Sequence, residues 1–489
     1  MDEKFEKLNL EHLNSDQRRD VLRILQKNKE VFSDRPGLCD PAIAEHVITV
    51  KMKEEDWPKQ KKPYQVPPIL RPEIERQIQE LLRDGMIEPS ISPIAHPIVC
   101  VMKSDKTVRM CCDNRFINSI SIPDRQPMRR VDDILDQVGA ATYISAFDAS
   151  SGYWQIGVQE ESRPYTAFVF DQVYQWKRLN FGLKNAAATY QRAMEKILTP
   201  HSKYATAYID DVSVYSMTWK EHLRHMDDVL QTILRSGFKL RLSKCKFAQR
   251  QIKLLGQIVG NGTRQLDPEK VRAVLEIKPP TSKKEIQQFI GILSYYRIFI
   301  PNMSELSYCL TELTKGRKNK DLKLNDEQLK AFEDLKKALA TAAVLTTPVF
   351  DGKTPFVIQA DSSAHSVGAC LAQGQPDGTE RPIAFASSKL TPSQCNWSTI
   401  EREGYAVIFA LRKFETYLIG APIYIYTDHN PLQYIVDCSP KSARLIRWAL
   451  SLQKFNIISV QHKRGIDNGN ADGLSRLLTK NNDVEEIGN

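Results

Sequence analysis

Tyr208-Ile209-Asp210-Asp211-Val212-Ser213-Val214-Tyr215-Ser216 sets two adjacent carboxylates between two short runs of strand composition, TAYI and VSVY. A tight turn must join the runs, so the aspartates are expected in a hairpin turn. Neighbouring side chains there cannot point the same way; one aspartate would ligate two metal ions, and the other would serve one ion or a supporting role. Asp pairs are common in plain turns. The reading gains weight from Asp148, which ends an earlier strand-like run, TYISAF. Three carboxylates fixed at strand ends are the donor set that holds two divalent cations about 4 Å apart for phosphoryl transfer.

A second acidic set follows in the last part of the chain. Asp361 ends the run FVIQAD, Glu403 lies in a helix expected from about Thr399 to Tyr417, Asp428 ends IYIYTD, and Asp472 lies in NADGLSR. Strand-like runs around a helix after Pro355 predict an α/β domain. Glu401 competes with Glu403, because an i, i+2 pair faces different sides of a helix and only one can serve. Converging carboxylates repel one another without cations, so magnesium is expected in both sites.

With 489 residues the chain exceeds one ordinary core, and several domains are expected. A net charge of +9, with 68 Lys plus Arg, fits a protein that meets a polyanion. The nine cysteines include no CxxC pair and read as reduced thiols. No stretch approaches the roughly 20 apolar residues of a membrane span, and the charged start MDEKFEKLNL is unlike a signal peptide. A soluble intracellular protein without a membrane partner is the expectation.

Outward from the carboxylates, a first helix carries Val21, Leu22, Ile24 and Leu25 on one side, with Ser15 and Asp16 available as caps, and reads as a docking arm. A helix from about Pro72 to Arg83 should stop at Asp84-Gly85. PIVCVMK and VRMCC, separated by Ser104-Asp105-Lys106, predict a hairpin. A helix should open at Asn185, two more should flank Pro279-Pro280, and Lys315 to Asp326 should be a linker. His222 and His225, at i, i+3, lack a matching metal partner and are expected on a solvated helix face. Cys111-Cys112 is expected to pack in a core.

FDASSGYWQI, FGLKNAAATYQRAM, YIDDVSVYS, KCKF followed by LLGQIVGNG, and IGILSYYRIFIP, preceded by PGLCDPAIAEH, GMIEPSISPIAHP and VRMCCDNRFIN, resemble in kind and order the reverse transcriptases of gypsy-type LTR retrotransposons. The resemblance covers about residues 30 to 477. It implies an α+β and α/β multidomain chain: an N-terminal helical arm (1–45), right-hand polymerase fingers and palm (46–255), thumb and linker helices (256–350), an RNase H-like domain (351–478) and a disordered tail (479–489). No protease, integrase or zinc-knuckle motif is seen, so the chain resembles the processed product of a longer polyprotein.

Carried over residue by residue, the pattern makes Asp148, Asp210 and Asp211 the polymerase metal ligands. It makes Asp361, Glu403, Asp428 and Asp472 those of the ribonuclease, the spacing to Asp428 selecting Glu403. Each site would bind two Mg2+, with Mn2+ as a substitute. Tyr153 falls where an aromatic ring lies beneath the incoming sugar. Lys103 and Arg109 fit the pair that neutralises the triphosphate, with Lys106 competing for the lysine role. Phe181 and Gly182 should line the nucleotide pocket. Leu255-Gly256 resembles the primer grip, and Gln287, Gln288, Gly291 and Tyr295 resemble a thumb helix. His462 would assist proton movement in hybrid cleavage. The chain departs from the family at Ala187, usually proline, and at Trp154, often histidine. The implied partners are an RNA template, a DNA primer, an RNA/DNA hybrid and dNTPs, with room for a homodimer on the substrate. The implied place is the cytoplasm, within virus-like particles. The competing expectation is a domesticated, catalytically silent nucleic-acid-binding protein.

Overall fold

The computed structural model describes residues 3–51, 53, 55, 57, 62–102, 107–315, 322–375, 379–427 and 443–462. The chain divides into two compact units, Met1–Ile252 and Lys253–Asn489.

At the centre of the first unit is a four-stranded antiparallel sheet in the order Lys246–Gln249, Tyr143–Asp148, Asp211–Ser216, Ala205–Tyr208. Phe147, Val212 and Val214, which the register sets on one face, are buried there. Helices Ala186–Leu198 and Trp219–Arg235 lay Met194, Ile197, Met226, Val229 and Leu230 into the same core. A second sheet runs Ile87–Pro89, Gln172–Trp176, Phe168–Phe170, His96–Met102, Val108–Cys112, and the last two strands form the expected hairpin. Helix Arg71–Arg83 packs Ile74 and Ile78 against that sheet and ends before Gly85, whose φ of 67° suits glycine.

Three expectations need correction here. Helix Ser15–Lys27 is capped by Asn14, whose Oδ1 accepts from Gln17 N at 2.9 Å, and not by Ser15 or Asp16. Its Val21 and Leu25 are fully buried in the core of the sheet, so the helix is built into the unit and does not project as an arm. His222 and His225 are also buried, 0% and 8% exposed, where a solvated face was expected. His222 is held between the hydroxyls of Ser145 (2.8 Å) and Ser216 (3.1 Å), and His225 stacks on Tyr204. The i, i+3 spacing marked a helix face correctly but could not tell its inward side from its outward one, because a histidine with hydroxyl partners tolerates a core.

Burial lowers His222 to a pKa of about 3 and His46 to about 4, and also lowers His96, His201 and His225. In the unfolded chain each would titrate near 6.5. Between the folded and unfolded values the unfolded chain binds more protons, so this stability is complete above about pH 6.5 and is lost as pH falls towards 3 to 4. The melting temperature should therefore fall steeply between pH 7 and pH 5, and His222→Asn should flatten that dependence. A melting temperature independent of pH over this interval would count against the buried neutral histidines.

In the second unit, Gln257–Gly260, Thr263–Leu266 and Leu345–Thr346 form a small antiparallel sheet, followed by helices Pro268–Leu275 and Lys283–Tyr295 on either side of the proline pair, the latter capped by Ser282. Beyond helix Asp326–Ala340 comes a five-stranded sheet in the order Glu380–Lys389, Ser366–Gly374, Phe356–Ser362, Pro422–Thr427, Asn456–His462. The first three strands are antiparallel and the last two join in parallel. Helix Thr399–Lys413 buries Ala406, Val407 and Ala410 on this sheet. It ends at Phe414 instead of running on to Tyr417; a separate short helix, Glu415–Leu418, follows.

Candidate active sites

Antiparallel pairing sets Asp211 directly opposite Asp148, and Asp211 also faces Tyr208 across the hairpin. The turn therefore has two residues, Ile209 and Asp210. Ile209 adopts φ 51°, a conformation that costs a β-branched residue roughly 1–3 kcal/mol and is usually left to glycine in two-residue hairpins. Fully buried Gln191 holds it there: its Oε1 accepts from Ile209 N at 2.8 Å while its Nε2 donates to Ala207 O at 3.1 Å. The two Gln191 bonds thus hold the backbone from which Asp210 projects.

Asp210 is half-buried and, among the described residues, its Oδ1 has no hydrogen-bond partner. Burial, then Asp211 and Asp148, push its pKa up to about 6. Asp211 is open to solvent but crowded by surrounding protein; that crowding, then Asp148, raises it too. The Nζ of Lys244 lies 3.5 Å from Asp148 Oδ2 and partly offsets the negative charge. Among the described residues no group of three or more His, Cys, Asp or Glu side chains is placed, as it stands, to hold a metal ion. An orphaned carboxylate oxygen amid like charges is nevertheless the donor set a hard divalent cation takes, so these residues fit such an ion.

A cleft of about 1040 Å3 opens in front of this end of the sheet, lined among others by Asp148, Asp210, Gly152, Phe181, Arg109 and Lys244. Arg109 is exposed on the hairpin strand opposite Val101. Lys103 and Lys106 lie outside the described residues. Phe181 is 48% exposed, and Gly182 takes φ 89°, which only glycine adopts without strain. Tyr153 is half-buried, packed edge-on against Phe181 (5.1 Å) and Tyr190 (5.3 Å). A methyl group on Gly152 would come within 2.8 Å of Asp210 Oδ1 and 2.9 Å of Tyr190 Oη. Cys111 and Cys112 are both part-buried and line the cleft. Sequence reasoning missed Gln191, Tyr190 and Lys244, although the first two lie in the quoted helix run and the last in KCKF. Only the fold reveals what they touch.

In the second unit Leu255 and Gly256, both with positive φ, form the turn before Gln257–Gly260, and Tyr295 Oη donates to Leu255 O at 2.5 Å. Gln287, Gln288, Gly291 and Tyr295 share the exposed face of their helix, opposite buried Ile286, Phe289 and Leu293. A side chain at Gly291 would meet nothing within 4 Å.

Asp361 is exposed near the end of Phe356–Ser362. Its neighbour Ser362 donates to Glu403 Oε1 at 2.6 Å, and Glu403 is only 2% exposed. Glu401 is instead occupied at the N-terminus of its helix, where it accepts from Ser398. His462 closes the Asn456–His462 strand as the partner of Thr427. Asp428 and Asp472 lie outside the described residues.

Residues 101–259 match the family "Reverse transcriptase (RNA-dependent DNA polymerase)", and residues 351–455 match the RNase H-like domain found in reverse transcriptase. The fold and these two matches thus define a class, a reverse transcriptase followed by an RNase H-like domain. The chain is 36% identical to the retrovirus-related Pol polyprotein from transposon opus of Drosophila melanogaster, an alignment covering 91% of this chain and 46% of that one. It is 34% identical to the Pol polyprotein from transposon gypsy of the same species (82% and 40%) and 30% identical to the transposon Tf2-3 polyprotein of Schizosaccharomyces pombe (88% and 32%). A foamy viral protease-reverse transcriptase solved with double-stranded DNA shares the fold, with a TM-score of 0.82 at 24% identity over 94% of this chain and 80% of that one. The chain belongs to the reverse transcriptase/RNase H family of gypsy-type LTR retrotransposons. It spans less than half the length of the polyproteins it matches. Among the described residues no helix is long and apolar enough to cross a membrane.

Proposed function

We propose that the chain copies RNA and DNA templates into DNA at Asp148, Asp210 and Asp211, and cuts RNA in RNA/DNA hybrids at Asp361, Glu403, Asp428 and Asp472. The observation that carries this reading is the pairing of Asp148 with Asp211, beside the orphaned Asp210, at the wall of a cleft that also presents Arg109. Two Mg2+ per site, with Mn2+ as substitute, would lower the pKa of the attacking hydroxyl or water and stabilise the leaving oxygen. The carboxylates hold those charges in place, Arg109 with Lys103 orients the triphosphate, and Phe181 with Gly182 shapes the pocket around the base and sugar. Leu255-Gly256 and the exposed face from Gln287 to Tyr295 guide the primer-template; the open space at Gly291 suits close approach of a duplex backbone. His462 helps move a proton in hybrid cleavage.

The division read from the sequence into fingers and palm (46–255), thumb and linker helices (256–350) and an RNase H-like domain (351–478) belongs to the same proposal, as do dNTP substrates, a homodimer on the hybrid and residence in virus-like particles. Primer extension on an RNA template tests the proposal: extension with magnesium, abolished by a chelator, is expected. A protein that binds primer-template yet never extends it would be the silent relative.

Tyr153 sits against Phe181 and near Asp210, where a 2′ hydroxyl would have to fit. Tyr153→Ala is expected to narrow the kcat/KM preference for dNTP over rNTP at least tenfold, about 1.4 kcal/mol. An unchanged ratio would leave the ring a packing residue only.

A further inference from the structure

The hairpin that carries Asp361 is gripped by a segment that precedes the RNase H-like match by many residues. Asp361, Gly368 and Ser387 are register partners and form one row across three strands. Each later member of that row is held by the stretch from Arg297 to Glu305. Ser387 O accepts from Arg297 Nη2 at 2.7 Å, and Ser387 Oγ accepts from Ser304 N at 2.9 Å. Asn302, itself left-handed at φ 46°, puts its Oδ1 2.0 Å from where a β-carbon on Gly368 would stand, so glycine there is what lets Asn302 seat. The turn that follows Asp361 is then tied down by Glu305, whose Oε2 accepts from both Ser363 Oγ and Ser366 Oγ at 2.5 Å. Ser363 Oγ in turn accepts from Ser366 N at 3.0 Å and His365 N at 3.2 Å, so its hydroxyl proton is directed to Glu305.

We infer that the Asn302–Glu305 segment is a brace for the Asp361 row, with Glu305 acting as a positioning residue for hybrid cleavage. The inference rests on the proposed ribonuclease reading of Asp361 and Glu403. The physical argument is distance and direction. Asp361 is followed at once by Ser362, which donates to Glu403, and then by Ser363, which donates to Glu305. The two residues that follow Asp361 are therefore fixed from two sides, Ser362 by the helix Thr399–Lys413 and Ser363 by the brace. Releasing the Glu305 side lets the turn move and with it the Asp361 carboxylate. Outer partners of this kind alter metal affinity or activity about 10- to 100-fold when removed. Glu305 is itself exposed, so its role is geometric acceptance of two hydroxyl protons more than burial of charge, and the lower end of that range is expected.

The test uses the full chain with Glu305→Ala, Glu305→Gln and Asp361→Asn. In metal-free protein, hydrogen exchange at the amides of residues 363–367 should quicken about tenfold in Glu305→Ala. Single-turnover cleavage of an RNA/DNA hybrid should slow about tenfold and need more Mg2+ for half its maximum, while primer extension on a DNA template is unchanged, which also reports a folded chain. Glu305→Gln keeps a carbonyl oxygen able to accept from both serines and should recover exchange and cleavage to within about threefold of wild type. Wild-type exchange or wild-type cleavage in Glu305→Ala overturns the brace, and so does a glutamine variant as defective as alanine. Asp361→Asn separates the two ideas: if it cleaves normally, the site reading fails, whatever Glu305 does.

Discussion

Asp210→Asn is expected to lower DNA synthesis by at least about a thousandfold, roughly 4 kcal/mol of transition-state stabilisation, while hybrid cleavage stays within about threefold of wild type. Asparagine keeps the size of the side chain and leaves the turn intact, because the backbone is held through Ile209 and Gln191. What it removes is the charge at a carboxylate whose inner oxygen has no hydrogen-bond partner among the described residues. The same substitution should not destabilise the metal-free protein. Asp210 is raised to about 6 from its ordinary carboxylate value, so its charged form is disfavoured by folding. Its contribution to stability is present below the unfolded value and lost as pH rises through about 6. At pH 7 the wild type carries a penalty that asparagine lacks, and the melting temperature of the variant should equal or exceed that of the wild type. Synthesis above a tenth of the wild-type rate would sink the assignment.

Asp361→Asn should do the reverse, slowing hybrid cleavage by at least about a hundredfold, or 2.7 kcal/mol, with primer extension unaffected. Asp361 and Asp210 lie in different compact units, each with its own core. Asp361 is exposed, and its replacement leaves no cavity. Loss of both activities from a folded Asp361→Asn protein would falsify the independence of the two sites.

Much of this was legible in the sequence because the relevant signals are local. TYISAF, TAYI and VSVY are strands because they are rich in β-branched and aromatic residues, and Asp211 stands opposite Tyr208 because a two-residue turn leaves only one register between their strands; its pairing with Asp148 comes from a strand distant in the chain. The helix at Asn185, the proline-split helices and the Ser282 cap follow from equally local chemistry. What the sequence could not convey depends on partners distant in the chain. His222 looks like a surface residue until Ser145 and Ser216 are placed around it. Gln191 is one more polar residue of an amphipathic helix until its amide spans Ala207 and Ile209. Glu401 and Glu403 are equivalent by composition, and separate once Ser398 claims one as a cap and Ser362 binds the other. The first helix reads as an arm until Val21 and Leu25 are placed in the core and Lys27 and Asn28 are joined to Asp227.

The hairpin turn after Ala205–Tyr208 also says something about heredity. Successive strand residues point to opposite faces, so a single inserted or deleted codon between Asp211 and Ser216 would turn the rest of that strand inside out against Tyr143–Asp148. A substitution at an outward position there changes one side chain; a change of length moves the carboxylates out of mutual reach. In any lineage of this gene, the spacing through the hairpin should prove more resistant to drift than the letters that fill it, and variants with altered codon number there should be absent from active copies.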